Sequence, residues 1–182
     1  IIEDWVYLLI IVFLVIISGF FSGSETAITA VSKARIYSKV KQGDKRATFV
    51  EKLLNKKEDL ITSLLLSNNL VNVLSSALAT AFLYKIFGNL GIIYATLIMT
   101  AVLVIFAEVL PKTYAIKRPT KSALVVSPIL IKLIIFLSPF VKIINFFIAI
   151  ILRKSTEKTL QSNDLQSEEE LKGAIDMYDT SD

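Results

Sequence analysis

Three stretches of the chain are nearly free of charge, and each is long enough for a helix through a bilayer. Trp5 to Val31 holds 27 residues with one charged side chain, Glu25. Leu60 to Tyr84 holds 25 with none, and Leu90 to Pro111 holds 22 with only Glu108. A hydrocarbon core about 30 Å thick takes about 20 apolar residues in a helix. The pattern predicts transmembrane helices over 5–31, 60–87 and 90–115. The first is not a signal peptide, because no basic segment precedes it and its apolar run is too long.

Segment 124–152 is also apolar, but it carries Lys132, Lys142, Pro128 and the Ser138-Pro139 pair. Proline breaks helical hydrogen bonding, and two lysines inside one span are costly. The segment is therefore expected as two kinked juxtamembrane helices in the cytoplasmic leaflet, their lysines snorkelling to headgroups. A fourth span is the competing reading. The fold class is an all-α membrane protein: three transmembrane helices plus kinked, belt-like helices on the cytoplasmic side. Residues 33–57 are expected to be helical at the membrane surface, interrupted near Gln42-Gly43-Asp44.

The tail 153–182 has four basic and eight acidic residues. Ser167 before Glu168-Glu169-Glu170 reads as a helix N-cap followed by acids in the first turn. The expected organisation is a transmembrane domain over 1–152 and a cytoplasmic linker over 153–182. A start at Ile1 and a stop at Asp182 fit an excised membrane module.

Charge sets the orientation. Segment 32–59 holds nine Lys/Arg, and Lys112, Lys117, Arg118 and Lys121 follow the third span. The turn at Gly88-Asn89 has only Lys85 beside it. Basic loops face the cytoplasm, so this is a multi-pass cell-membrane protein with its N-terminus outside and its C-terminus inside.

Composition narrows the chemistry. Hydrophobic residues are 54% of the chain, and Cys and His are both absent. That excludes disulfides, thiolate sites and imidazole ligands or bases. Any metal here is held by oxygen, which suits Mg²⁺, Ca²⁺ or Na⁺. No nucleophile–base pair or phosphate loop appears, so no enzyme is expected. The basic loops need no nucleic acid to explain them.

Three places interrupt the apolar pattern. In Ser18-Gly-Phe-Phe-Ser-Gly-Ser-Glu-Thr26, Ser18 and Ser22 share a helix face and Glu25 falls near the same line. Gly19-x-x-x-Gly23 is equally a helix-packing pattern. In Ser67-Asn68-Asn69 and Asn72, one stripe runs Asn68, Asn72, Ser75, Ala79. Ser67 and Asn69 point about 100° to either side of it, so one ion cannot use all three side chains on a regular helix. Interhelical hydrogen bonding is the alternative use of these amides. Glu108 precedes Val109-Leu110-Pro111-Lys112, and Pro111 denies the Ala107 carbonyl its helical donor. A carboxylate in a span is a functional candidate by default, with an ion pair to Lys112 as the plainer use. The three places lie at similar depth and together offer hydroxyl, amide and carboxylate oxygens.

Ser18-Gly-Phe-Phe-Ser-Gly-Ser-Glu-Thr-Ala27, Leu66-Ser-Asn-Asn-Leu-Val-Asn72 and Ala107-Glu-Val-Leu-Pro-Lys112 resemble the transmembrane (DUF21) domain of the CorC/CNNM magnesium transporters. The resemblance implies a homodimer exporting Mg²⁺ against inward Na⁺, with a regulatory CBS-pair domain after the linker. It implies a Mg²⁺ site from Ser18, the Gly19 backbone, Ser22, Ser67, Asn68 and Glu108. Glu25, Asn69 and Asn72 would be outer residues or a Na⁺ route. Alternating access is the expected mechanism, with Gly19 and Gly23 as a hinge in the first span. The rival is a membrane-anchored Mg²⁺ sensor that controls another transporter.

Overall fold

The apolar runs and the polar breaks between them become seven α-helices and one π-helical segment, seen in a computed structural model. It describes residues 2–179, with side chains for 4–148 and 150. Two units divide at Ser138/Pro139. The first contains everything relevant to the candidate site.

Helix α1 (Ile2–Ala30) is followed by a short hairpin, α2 (Lys33–Lys41) and α3 (Lys45–Asn55). The interruption falls at 42–44, where Gly43 takes a φ of +85° that a side chain would resist. Asp44 then caps α3: its Oδ1 accepts from the Arg46 and Ala47 N–H groups at 2.9 and 3.4 Å. Ser32 caps α2 by accepting from Arg35 N–H.

Helix α4 (Lys57–Phe87) returns across the apolar layer with Glu58 and Asp59 in its first turn, where acids suit the helix dipole. A tight turn at Gly88, φ +57°, leads to α5 (Asn89–Val102). Gly91 is required there, because any Cβ would collide with the Leu83 carbonyl. A π-helical segment (Leu103–Val109) and α6 (Leu110–Lys117) continue the same rod.

Helices α1 and α4 run antiparallel. Lys85 Nζ donates to Asp4 Oδ1 at 3.0 Å at one end. At the other end Ala27 and Ile28 of α1, and Val31 just after it, pack with Leu60 and Leu64 of α4, together with Ile36, Val50, Leu53, Ala115 and Leu130. A second buried cluster joins Ile11, Val15, Ala79, Met99 and Ala107. Large apolar side chains elsewhere on these rods face outward, including Leu9, Phe13, Leu70, Val73 and Leu97. In water that exposure would drive aggregation; against lipid tails it carries no such cost. The chain is an all-α membrane protein, and no strand occurs among the described residues.

The fourth apolar segment departs from expectation. Helix α7 is assigned from Pro119 to Asp179 as one element, where two kinked helices were expected. Among the described residues four helices, not three, are long and apolar enough to span a bilayer, the fourth being Pro119–Ile148. A side chain explains how the helix passes Pro128. Proline withholds an N–H from the Leu124 carbonyl, and Ser127 Oγ lies 3.3 Å from that same oxygen as a substitute donor. Ser127 Oγ also lies 3.3 Å from the Arg46 carbonyl, tying α7 to α3.

The second unit continues as helix, with Phe146 and Phe147 meeting edge to face. Ser167 opens no separate helix, because the helix is already running when it reaches that residue. The side chains of the acidic tail lie outside the described residues.

Candidate cation site

The serine face of α1 meets the asparagine stripe of α4. Ser18 is fully buried, and its Oγ lies 2.7 Å from Asn68 Oδ1 and 2.6 Å from Asn72 Oδ1. A hydroxyl has one proton, so it can donate to only one of these oxygens. The other contact sets lone pair against lone pair at hydrogen-bond distance. A cation on these oxygens relieves that repulsion, as does rotation of one amide.

One helical turn along α1, Ser22 is also fully buried, and its Oγ has no hydrogen-bond partner among the described residues. An unpartnered hydroxyl in a water-free interior costs about 1–3 kcal/mol. Ser18 and Ser22 thus present two oxygens on one face, one crowded and one unsatisfied.

The asparagine stripe holds its predicted course. Ser75 and Ala79 are buried on it, and Asn68 and Asn72 are half-buried. Asn69 is exposed and makes no hydrogen bond to any described residue, so it stands apart from Ser18. Ser67 is buried, but its hydroxyl donates back along α4 to the Ser63 carbonyl at 2.8 Å. Its lone pairs remain available while its proton is committed. Asn72, expected as an outer residue, touches Ser18 as closely as Asn68 does. Its place on the Asn68 stripe was the sequence signal for this.

The glycines of α1 lie about 100° round the helix from the two serines and meet the third rod. A Cβ at Gly19 would lie 3.1 Å from the Phe106 carbonyl oxygen and 3.2 Å from Pro111 Cγ. One at Gly23 would lie 3.2 Å from Pro111 Cβ. The small-residue pattern is therefore a packing surface for the third rod, as one of the two sequence readings held. Beside it a cavity of about 250 Å³ is lined by Ser24, Pro111, Tyr114, Lys121 and Ser122 among others. The buried hydroxyls of Ser24 and Ser122 are also unpartnered.

Glu108 lies on the π-helical stretch, which the sequence did not reveal. Leu110 N–H donates to the Ile105 carbonyl, five residues back. In that register the residue five before Pro111 is Phe106, and its carbonyl has no helical donor. That Phe106 carbonyl faces Gly19, one residue before the Ala107 carbonyl singled out from the sequence. Such one-turn π segments are rare inside α-helices and frequently mark functional sites. Here the wide turn carries Glu108, whose neighbour Ala107 is fully buried.

The Glu108 side chain is half-buried, with no hydrogen bond or ion pair to any described residue, Lys112 included. Glu25 is likewise half-buried without a side-chain partner. No group of three acidic side chains forms among the described residues.

Sequence comparison agrees with this architecture. The family model described as "Cyclin M transmembrane N-terminal domain" matches residues 9–182. The chain is 41% identical over 155 residues to the UPF0053 inner membrane protein YfjD of Escherichia coli K12, covering 84% of this chain and 36% of that protein. It is 34% identical over 167 residues to a UPF0053 protein of Haemophilus influenzae, covering 92% and 40%. A putative DUF21 domain-containing chloroplastic protein of Arabidopsis thaliana is 30% identical over 122 residues, covering 66% and 18%. The chain thus spans two fifths or less of these relatives. Four apolar rods, a polar seam between two of them and a family match over nearly the full length point one way: the chain belongs to the Cyclin M transmembrane N-terminal domain family.

Proposed function

We propose that this domain carries Mg²⁺ across the membrane, in a Na⁺-coupled export cycle without a chemical step. The observation that carries the reading is Ser18, held within 2.7 Å of two amide oxygens while the Ser22 hydroxyl beside it has no partner. Ser18, Ser22 and Asn68 are the side-chain ligands of the reading, with Glu108 as the charged one. Gly19 carbonyl and Ser67 Oγ complete the set; Glu25, Asn69 and Asn72 are assigned outside it.

The chemistry favours a small hard cation. Mg²⁺ takes oxygen ligands about 2.1 Å away in octahedral array and gives up water reluctantly. One carboxylate leaves the bound ion with a net positive charge, so release is as accessible as capture. A charged side chain at the centre of a span costs about 2.5–3.5 kcal/mol on insertion scales. Glu108 regains that when a cation sits beside it.

The packing supports a transport cycle. The first rod meets the third through Gly19, Gly23 and Pro111, a smooth surface on which α1 can shift. Shifting α1 moves Ser18 and Ser22 together relative to Asn68. Inward Na⁺ supplies the free energy. The basic loops hold the cytoplasmic face against anionic lipid. The domain works as a homodimer, with its regulatory CBS-pair domain beyond the linker.

The test is Mg²⁺ flux in liposomes containing the purified full-length protein, with and without a Na⁺ gradient. Uptake or release that follows the gradient, lost in Glu108→Gln, supports the reading. Intact Mg²⁺ binding with no flux in either condition makes the domain a sensor instead.

A further inference from the structure

Asn72 lies 2.6 Å from Ser18 Oγ on the side away from Ser22, and that position assigns it a task. Helices α1 and α4 are antiparallel, fixed by Asp4–Lys85 at one end and by the cluster around Ile28 and Leu64 at the other. Passing along α1 from Ser18 to Ser22 therefore corresponds to passing along α4 from Asn72 to Asn68. Asn68 shares the Ser22 side of Ser18, and Asn72 occupies the far side.

A serine hydroxyl that ligates a cation does so through a lone pair and keeps its proton. In an apolar interior that proton needs an acceptor, and it cannot point at the cation. Asn68 Oδ1 is the wrong acceptor, because it too faces the cation. Resting on the proposed Mg²⁺ site, we infer that Asn72 is a positioning residue: its Oδ1 accepts the Ser18 proton, turning the Ser18 lone pairs and the Asn68 oxygen toward the ion. The crowded arrangement of one proton and two acceptors is thereby resolved when the ion arrives. Residues that orient a metal ligand in this way commonly change metal affinity about 10–100-fold when lost.

The experiment is Mg²⁺ titration by calorimetry on the purified chain in lipid nanodiscs. Asn72→Leu keeps the side-chain shape and loses the acceptor, and it should weaken binding about tenfold or more. Asn72→Asp keeps an acceptor oxygen and should bind at least as tightly as the parent protein. In a Ser18→Ala background the Asn72→Leu change should cause no further loss, because no proton remains to be received. A merely structural asparagine would lower affinity equally in both backgrounds and would not be rescued by Asp; either result overturns the inference. Unchanged affinity in Asn72→Leu, with Asn68→Ala and Glu108→Gln both impaired, overturns it while the site stands. No Mg²⁺ binding by the parent protein overturns both.

Discussion

Gly19 and Pro111 lie in contact across the first and third rods, so close that a Cβ at residue 19 would sit 3.2 Å from Pro111 Cγ. The same Cβ would press at 3.1 Å on the Phe106 carbonyl, which the π-helical register leaves without a donor. Gly19→Ala must displace backbone as well as side chain. Overpacking of this kind costs about 1–3 kcal/mol. Thermal unfolding in detergent should show that loss, and Mg²⁺ affinity should fall with it as α1 is pushed from its seat. An unchanged midpoint would mean the two rods are not packed this closely.

Pro111→Ala restores a backbone N–H. The wide turn can then revert to α-helical spacing, which turns every residue before it by about 100° relative to α6. Helix stability should rise or hold, and Mg²⁺ affinity should fall at least tenfold because Glu108 is re-aimed. Unfolding and titration on the same sample separate the two effects. If affinity is unaltered, the wide turn has no part in aiming Glu108.

Ser127→Ala leaves the Leu124 and Arg46 carbonyls without the hydroxyl now beside them. The change should cost about 1 kcal/mol in unfolding and leave Mg²⁺ titration untouched. Ser127→Thr keeps the hydroxyl and should behave like the parent. Equal losses in both variants would argue that steric fit, not the hydroxyl, carries the helix past Pro128.

How far the chain could be read in advance depends on which forces act locally. Charge-free runs and a Gly-Asp break are local, so the long helices and the α2–α3 interruption were legible. The Asn68–Ala79 stripe was legible for the same reason: helical period alone puts those residues on one face. The π-helical turn was not, because it adds one residue to a turn without any required sequence. Pro111 gave half the hint, a missing donor, but not the register that decides which carbonyl is freed. Pro128 misled in the opposite sense, since Ser127 supplies a substitute donor that only the folded chain brings to the right oxygen. Asn72 was read onto the correct face as an outer residue, but its direct contact with Ser18 is set only by the packing of α1 on α4.

Mn²⁺ is an oxygen-seeking stand-in for Mg²⁺ that scatters anomalously. Crystals of the full-length protein grown with Mn²⁺ therefore locate the ion without assumption. The account predicts an anomalous peak among Ser18, Ser22, Asn68 and Glu108, absent in Glu108→Gln. A map with no peak there, or with the ion bound only at the basic loops or the acidic tail, would contradict it.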